Sequence, residues 1–231
     1  MLGVIGGMGP LATADFFHKL IAATPATGDG DHVPVLIHSV PQLQSRPAAI
    51  LRGGASPLPQ LLQARDRLLT AGATMLAMPC NTAHHWYNEL TRGIALPFPH
   101  IADAVAAELP QAPVRVAIIA TAATLASGIY AGRLDAGYDW IMPSNDEYAR
   151  AVQPCIDAVK CNRCVEGGHL VEPVVAALLQ RGARRVVLAC TELPLALDAI
   201  GSALREACVD STAALARTCA QSWVDYVRLK A

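Results

Sequence analysis

Short apolar runs alternate with amphipathic segments along the whole chain. The runs predict buried strands at 2–6, 33–38, 74–78, 114–119, 140–142 and 185–189. The segments between them predict helices at 11–23, 57–71, 125–134, 147–160 and 170–181, and a terminal helix at 211–228 that Asp210 or Ser211 caps. Such alternation is typical of parallel sheets covered by helices, so we predict an α/β fold.

One local pattern occurs twice. A predicted helix ends at Gly72, a buried strand follows, and Cys80 lies at the carboxyl end of that strand. Gly182 and Cys190 repeat this order, and both the glycines and the cysteines lie 110 residues apart. A weaker similarity relates 2–9 to 116–124. The repeat predicts two pseudo-symmetric lobes, each a mainly parallel sheet flanked by helices, with the active site in the cleft between them.

Composition narrows the classes of protein to consider. With 53% hydrophobic and 16% charged residues, the chain can fill a sizeable core and is not intrinsically disordered. Its 18 Lys and Arg against 19 Asp and Glu give a formal net charge of −1, which disfavours nucleic acid or a membrane surface as a partner.

The sequence predicts neither a membrane helix nor a secretion signal. The uncharged stretch 68–88 is long enough to span a bilayer, but it contains Pro79, Asn81 and two histidines, which are costly in hydrocarbon. No Lys or Arg precedes Lys19, and the early glycines would break a signal helix. We therefore expect a cytoplasmic protein, in which the seven cysteines are free thiols by default.

Two thiols at strand ends suggest a specific chemistry. If the lobes face each other, Cys80 and Cys190 approach one ligand from opposite sides, and a proton removed from one face and delivered to the other inverts a stereocentre. A helix N-terminus would lower the pKa of such a thiol. Thr82 and Thr191 follow the thiols and are placed to hold an α-carboxylate. A single cysteine at a strand end is usually packing, but the matched pair favours function. The scheme needs no metal and no cofactor.

Three segments resemble the signatures of the aspartate/glutamate racemase family, and of its aspartate racemase branch in particular. They are 5–13 (IGGMGPLAT), 78–84 (MPCNTAH) and 189–194 (ACTELP), and 120–130 also fits. The resemblance covers nearly the whole chain. It implies a cofactor-independent two-base racemase acting on a small amino acid, usually a homodimer, whose C-terminal helix returns to the first lobe. The implied domains are 1–103 plus 209–231, and 104–208.

The resemblance also implies roles for individual residues. Cys80 would act on the α-proton of the D-enantiomer and Cys190 on that of the L-enantiomer. The positions that would hold the substrate's α-carboxylate and amine or line its pocket are Met8, Asn81, Thr82, Thr121 and Thr191. Arg46 matches an arginine that pairs with the side-chain carboxylate of aspartate, and Lys160 matches a lysine with a similar task. Independently of the resemblance, the position of Glu192 just beyond Cys190 favours a role in orienting this thiol or the substrate ammonium over a role as a helix cap.

Two departures from the family pattern leave the substrate open. Gln44 and Ser45 replace the usual Pro-Asp before Arg46, and the segment 160–164 reads Lys-Cys-Asn-Arg-Cys. A racemase of the same family that recognises glutamate, or one of broad specificity, is therefore an alternative. A non-catalytic two-lobed protein that binds an acidic metabolite is an alternative of another class, although such a protein would have no need of the thiols.

Three other motifs have simpler explanations. Gly7-x-Gly9-x-x-Ala12 matches a dinucleotide fingerprint, but the next predicted strand does not end in an acidic residue. Cys161-x-x-Cys164, with Cys155 and His169 nearby, is one metal knuckle rather than two, so helix-end packing is favoured. A thiol hydrolase dyad of Cys80 and His84 leaves Cys190 unexplained, so His84 is predicted to be a hydrogen-bonding residue.

Overall fold

The computed structural model describes residues 1–134 and 136–228. The strands are β1 (Leu2–Gly6), β2 (Val35–Ser39), β3 (Met75–Ala77), β4 (Val114–Ala120), β5 (Tyr138–Ile141), β6 (Arg185–Ala189) and β7 (Cys208–Asp210). The α-helices are α1 (Pro10–Ala23), α2 (Arg46–Arg52), α3 (Leu58–Thr70), α4 (Tyr87–Thr91), α5 (Ile101–Ala106), α6 (Ala122–Ala126), α7 (Asn145–Glu147), α8 (Gln153–Lys160), α9 (Cys164–Gln180), α10 (Glu192–Ala199) and α11 (Ser211–Arg228). A π-helical turn, Tyr148–Val152, joins α7 to α8, and 3₁₀ turns occupy Asp29–Asp31, Thr82–Trp86 and Ala203–Ala207.

The strands form two parallel sheets of the same design. The first has the order β2-β1-β3 and the second the order β5-β4-β6-β7. Each pair of neighbouring strands in the described part of the chain is parallel. The first three strands of the second sheet therefore repeat the order of the first sheet, and the predicted α/β fold class with two parallel sheets flanked by helices is confirmed.

The repeated sequence pattern folds into the same turn twice. Gly72 follows α3 and Gly182 follows α9, and both have φ of 91°. Their N–H groups donate to the carbonyls of Leu69 and Leu179, each over 2.9 Å. Glycine is required because other residues are strained at a positive φ. Each helix therefore ends in a tight turn that leads into a buried strand, β3 or β6.

Helices cover both faces of each sheet. On the first sheet, α3 packs with Leu61 and Leu68 against one face, while Phe16 of α1 and Leu215 of α11 pack against the other. On the second sheet, α8, α9 and α10 bury one face. The opposite face of the second sheet is covered by α5 and by Ala214 of α11. Because α5 and α11 contribute apolar side chains to both sheets, their burial ties the two halves together.

Two helices differ from the prediction because of their glycines. The predicted helix 125–134 is wrong: α6 ends at Ala126, and Gly128 then adopts φ of 68°, which breaks the helix. The predicted helix 170–181 instead begins at Cys164. Gly167 and Gly168 lie inside this helix and do not end it. Their role is to permit close packing of neighbouring elements. A Cβ on Gly168 would lie 2.4 Å from the carbonyl oxygen of Ala196 in α10.

The terminal helix begins as predicted, with Asp210 as its cap. An Asp210 carboxylate oxygen accepts hydrogen bonds from the N–H groups of Thr212 (2.8 Å) and Ala213 (3.1 Å). Residues 229–231, which belong to the predicted first lobe, lie outside the described residues. Across 1–134 and 136–228, the helices are too short or too polar to cross a bilayer.

Candidate active site

The carboxyl ends of the two sheets enclose a small cavity. Residues that follow β1, β3, β4 and β6 all reach it, because the carboxyl ends of parallel strands meet at one edge of a sheet. The cavity has a volume of about 40 Å³. All ten site residues predicted from the sequence line it, and Pro47 lines it as well. The structure thus brings the predicted set together, while the role of each member stays a prediction.

A second, larger cavity of about 550 Å³ lies beside the first. The two cavities share Arg46, Pro47, Lys160 and Glu192, which form the partition between them. The inner cavity has room for only about three water molecules. An amino acid therefore reaches the thiols only when side chains of this partition move.

Cys190 donates a hydrogen bond to a carboxylate. Its Sγ lies 3.0 Å from Oε2 of Glu192, which also accepts the hydroxyl of Thr191 over 3.2 Å. All three residues are buried. Burial raises the pKa of Cys190 well above its ordinary value, and the negative charge of Glu192 and this hydrogen bond raise it further. Cys190 is accordingly held as a protonated thiol.

Cys80 has cations and an N–H donor near it as well as Glu192. Burial raises the pKa of this thiol and the charge of Glu192 adds to the rise, whereas the guanidinium of Arg46, the backbone N–H of Ala83 and the ammonium of Lys160 oppose it. The expectation that a helix N-terminus lowers the thiol pKa is therefore wrong for both cysteines, because each is only 6% exposed and desolvation dominates. The two thiols nevertheless differ, and a thiolate is better stabilised at Cys80.

Three threonine hydroxyls form a triangle beside the thiols. The Oγ1 of Thr82 lies 3.2 Å from that of Thr121 and 2.8 Å from that of Thr124, and the latter two are 2.9 Å apart. This triangle joins the turn after Cys80 to the start of α6. The sequence pattern assigns no role to Thr124, although the segment 120–130 contains it, because spacing alone does not show which hydroxyls meet.

Asn81 lines the cavity, but its side chain is also bound within the protein. Its Oδ1 accepts the hydroxyl of Tyr130 over 2.5 Å, and its Nδ2 donates to Oγ of Ser211 over 2.9 Å. Tyr130 belonged to a family-like segment without an assigned role, and Ser211 was considered only as a helix cap. A hydrogen bond between residues 130 positions apart leaves no signal in sequence spacing.

Arg46 has part of its guanidinium bound to the backbone and part unpaired within the described residues. It begins α2, a helix capped by Ser45, whose Oγ accepts the N–H of Ala48 over 3.2 Å. Its Nη1 donates to the carbonyls of Leu43 (3.3 Å) and Gln44 (3.1 Å). Its Nε is buried and has no hydrogen-bond partner in the described protein. An unpaired buried N–H is costly, and a carboxylate is the ligand that suits it.

His84 supports the first thiol through the backbone. Its Nε2 accepts the N–H of Ile101 over 3.2 Å, so the proton lies on Nδ1, which donates to the carbonyl of Cys80 over 2.9 Å. Burial lowers the pKa of His84 to about 4. Both ring nitrogens are thus engaged with backbone groups, as the predicted hydrogen-bonding role requires, and neither serves a hydrolase dyad.

The remaining motifs are explained by local structure. Gly7 has φ of 91°, and a Cβ there would lie 2.4 Å from the backbone nitrogen of Val40, so the turn after β1 requires glycine without any nucleotide. Cys161 caps the end of α8 and is exposed, while Cys164 begins α9. In the part of the chain that the structure describes, no three His, Cys, Asp or Glu side chains group as a metal site would need.

Known proteins share both the sequence and the fold of this chain. Residues 5–219 match the Asp/Glu/Hydantoin racemase family. The broad specificity amino-acid racemase RacX of Bacillus subtilis (strain 168) is 27% identical over 239 residues, which cover 98% of this chain and 99% of RacX.

Solved structures agree with this match. The aspartate racemase of Picrophilus torridus superposes with a TM-score of 0.84 and 32% identity, over 96% of this chain and 93% of that one. A glutamate racemase from Thermus thermophilus has the same fold, with a TM-score of 0.58 and 21% identity, over 97% of this chain and 80% of that one. The chain therefore belongs to the Asp/Glu/Hydantoin racemase family and is an amino-acid racemase, an isomerase.

Proposed function

We propose that this enzyme interconverts L- and D-aspartate by transferring protons between Cys80, Cys190 and the α-carbon. The observation that carries the proposal is that two thiols, delivered by equivalent strands of two matching sheets, line one small cavity. A binding protein has no use for that arrangement. The similarity to an aspartate racemase at 32% identity supports the choice of substrate.

The reaction needs one thiolate and one thiol. With D-aspartate, the Cys80 thiolate takes the α-proton, and the electron pair left on carbon is delocalised into the α-carboxylate. The S–H of Cys190 then gives its proton to the opposite face, which forms L-aspartate and leaves Cys190 as the thiolate. The reverse reaction exchanges the two roles. Protons are conserved, since the substrate gains one and loses one.

Glu192 makes the two directions of proton transfer chemically unequal. Its carboxylate accepts the Cys190 S–H over 3.0 Å and so holds the proton-donating thiol ready. When Cys190 has lost its proton, the same carboxylate repels the thiolate, which makes that thiolate a stronger base toward L-aspartate. At Cys80 the cations Arg46 and Lys160 oppose the raised pKa, so we assign the thiolate that acts on D-aspartate to Cys80.

Two cations at the cavity suit a substrate with two carboxylates. The free Nε edge of Arg46 and the ammonium of Lys160 would bind the side-chain carboxylate of aspartate. The threonines and Asn81 would bind the α-carboxylate. A second candidate is racemisation of a wider range of amino acids, which the match to RacX over 98% of this chain favours.

The proposal extends to the organisation of the protein. We infer a first lobe of 1–103 plus 209–231 and a second lobe of 104–208, which the packing of α11 against α1 supports. We also infer a homodimer, as the resemblance to aspartate racemases implies, and a cytoplasmic location, as the sequence analysis predicts. Sedimentation equilibrium tests the dimer: a monomer mass across the working concentrations would exclude it.

Chiral chromatography of products from a panel of L-amino acids tests the substrate. We expect aspartate to react fastest. Arg46→Ala should reduce kcat/KM for aspartate by about 10- to 100-fold, because a charge-assisted hydrogen bond to the substrate is lost. Arg52→Ala, at the exposed end of the same helix, is the matched control and should act like the wild type. A neutral amino acid that reacts faster than aspartate, with no effect of Arg46→Ala on it, would favour broad specificity.

A further inference from the structure

A chain of buried hydrogen bonds crosses the molecule between the two thiol-bearing strands. The hydroxyl of Tyr130, on the side of the second sheet, donates to the side chain of Asn81, which directly follows Cys80. Asn81 donates to Ser211, and the Ser211 hydroxyl donates to the carbonyl of Leu188 over 2.8 Å. Leu188 lies in β6, two residues before Cys190. This series of hydrogen bonds therefore runs from Asn81, the neighbour of Cys80, to β6, the strand that leads to Cys190.

The direction of every proton in this chain is fixed by its last acceptor. The carbonyl of Leu188 can only accept, so the single O–H of Ser211 donates to it. The oxygen of Ser211 must therefore accept the hydrogen bond from Asn81. The amide nitrogen of Asn81 consequently faces Ser211, and its oxygen faces Tyr130, which must donate. Burial raises the pKa of Tyr130, which keeps this donor protonated. The orientation of the Asn81 amide is thus determined.

The Asn81 amide has one N–H that this series of hydrogen bonds does not use. Asn81 has two N–H bonds on Nδ2, one of which goes to Ser211. Asn81 also lines the cavity between the thiols, and Ser211 is the one acceptor that its Nδ2 meets within 1–134 and 136–228. Asn81, Tyr130 and Ser211 are 2%, 6% and 0% exposed, so solvent does not compete for these bonds. The second N–H is therefore available to a ligand in the cavity.

We propose that Tyr130 is a positioning residue: its hydrogen bond to Asn81, completed by Ser211, aims the second amide N–H of Asn81 at the substrate's α-carboxylate. This role rests on the racemase reaction proposed above. Tyr130 is not among the residues that line the inner cavity, so it would act on the substrate through Asn81. Ser211 is firmly placed for its part, because Asp210 beside it caps α11 and forms ion pairs with Lys19 (2.7 Å) and Arg205 (2.6 Å).

The test compares aspartate racemisation by the full-length wild type, Tyr130→Phe, Ser211→Ala and the double variant. Each single variant frees the amide to rotate, so we expect KM to rise about tenfold, with kcat changed much less. The double variant should be no worse than the more severe single variant, because both act on one amide. Tyr138→Phe is the matched control: its hydroxyl donates to the carbonyl of Pro110, away from the cavity, and its KM should stay within about twofold of the wild type.

The outcomes separate this inference from the function on which it rests. A wild type that racemises no amino acid refutes the proposed function. A wild type that is active, with Tyr130→Phe no different in KM from Tyr138→Phe, refutes the positioning role, as does a double variant whose effects on KM multiply. If Tyr130→Phe does not fold, Ser211→Ala decides alone: a KM within about twofold of the wild type overturns the proposal, and a tenfold rise supports it.

Discussion

At the scale of single residues, the site consists of buried polar groups whose partners differ on its two sides. The carboxylate of Glu192 accepts a hydrogen bond from the Cys190 thiol, whereas at Cys80 the guanidinium of Arg46 is the charge with the largest effect and it lowers the pKa. Two chemically identical thiols are thereby given different proton affinities by their surroundings. A pair that shared one environment would offer no such preference for which thiol begins as the base.

Residue types and motif spacing were enough to predict the members of the site but not their contacts. Cys80, Cys190 and the eight further predicted residues all line the inner cavity. Tyr130 and Ser211 were not assigned to it, because they act through hydrogen bonds that join distant parts of the chain. The raised thiol pKa values also could not be predicted, since desolvation depends on packing from both lobes.

His84 makes folding stability sensitive to acid. Its pKa is lowered from 6.5 to about 4 by burial, and that of the adjacent His100 is lowered to about 2, also by burial first. Between pH 6.5 and 4 the unfolded chain thus binds more protons at this residue. The stability linked to His84 is fully present above pH 6.5 and is lost as the pH falls toward 4, a loss of about 3 kcal/mol.

Urea unfolding from pH 7 to pH 4 checks this expectation. His84→Gln keeps a donor and an acceptor but does not titrate, so its free energy of unfolding should fall less steeply with acid than that of the wild type. His100 continues to contribute, so some slope should remain. His85→Gln, at the exposed neighbouring position, should keep the full wild-type slope. Equal slopes in the wild type and His84→Gln would contradict the assignment.

At the scale of elements, the repeat of helix, glycine turn, strand and cysteine explains how the thiols are placed. The sequence predicts this repeat clearly because both glycines must adopt a positive φ and both strands are buried at their carboxyl ends. The prediction of helix bounds from glycines was wrong where a glycine permits close packing instead of forming a turn. Gly167 and Gly168 lie inside α9, and sequence alone does not tell close contact from a helix end.

Replacement of either turn glycine by alanine should destabilise the protein by similar amounts. Gly72 and Gly182 have φ of 91°, and the nearest atoms to an added Cβ are 3.7 and 3.5 Å away, so the cost is backbone strain of about 1 to 2 kcal/mol rather than a clash. Gly132→Ala, with open space around it and no positive φ, is the control. Urea denaturation measures the difference. A cost for Gly72→Ala no larger than for Gly132→Ala would contradict the proposed turn geometry.

At the scale of the whole molecule, two sheets with the same strand order present their carboxyl ends to one cavity. The alternation of strands and helices was sufficient to predict the parallel sheets, because buried parallel strands are continuous apolar runs. The roles of α5 and α11, which pack against both sheets, could not be predicted, because a helix that is apolar on one face gives no sign of which sheet it meets.

Proton exchange in deuterated water tests the central claim that two thiols act on opposite faces of one carbon. The wild type should incorporate α-deuterium as aspartate inverts. Cys80→Ser should exchange only the α-proton of L-aspartate, Cys190→Ser only that of D-aspartate, and neither should invert the substrate, while Cys161→Ser, at an exposed cysteine, should match the wild type. Racemisation at the wild-type rate in either Cys80→Ser or Cys190→Ser would contradict the two-thiol account.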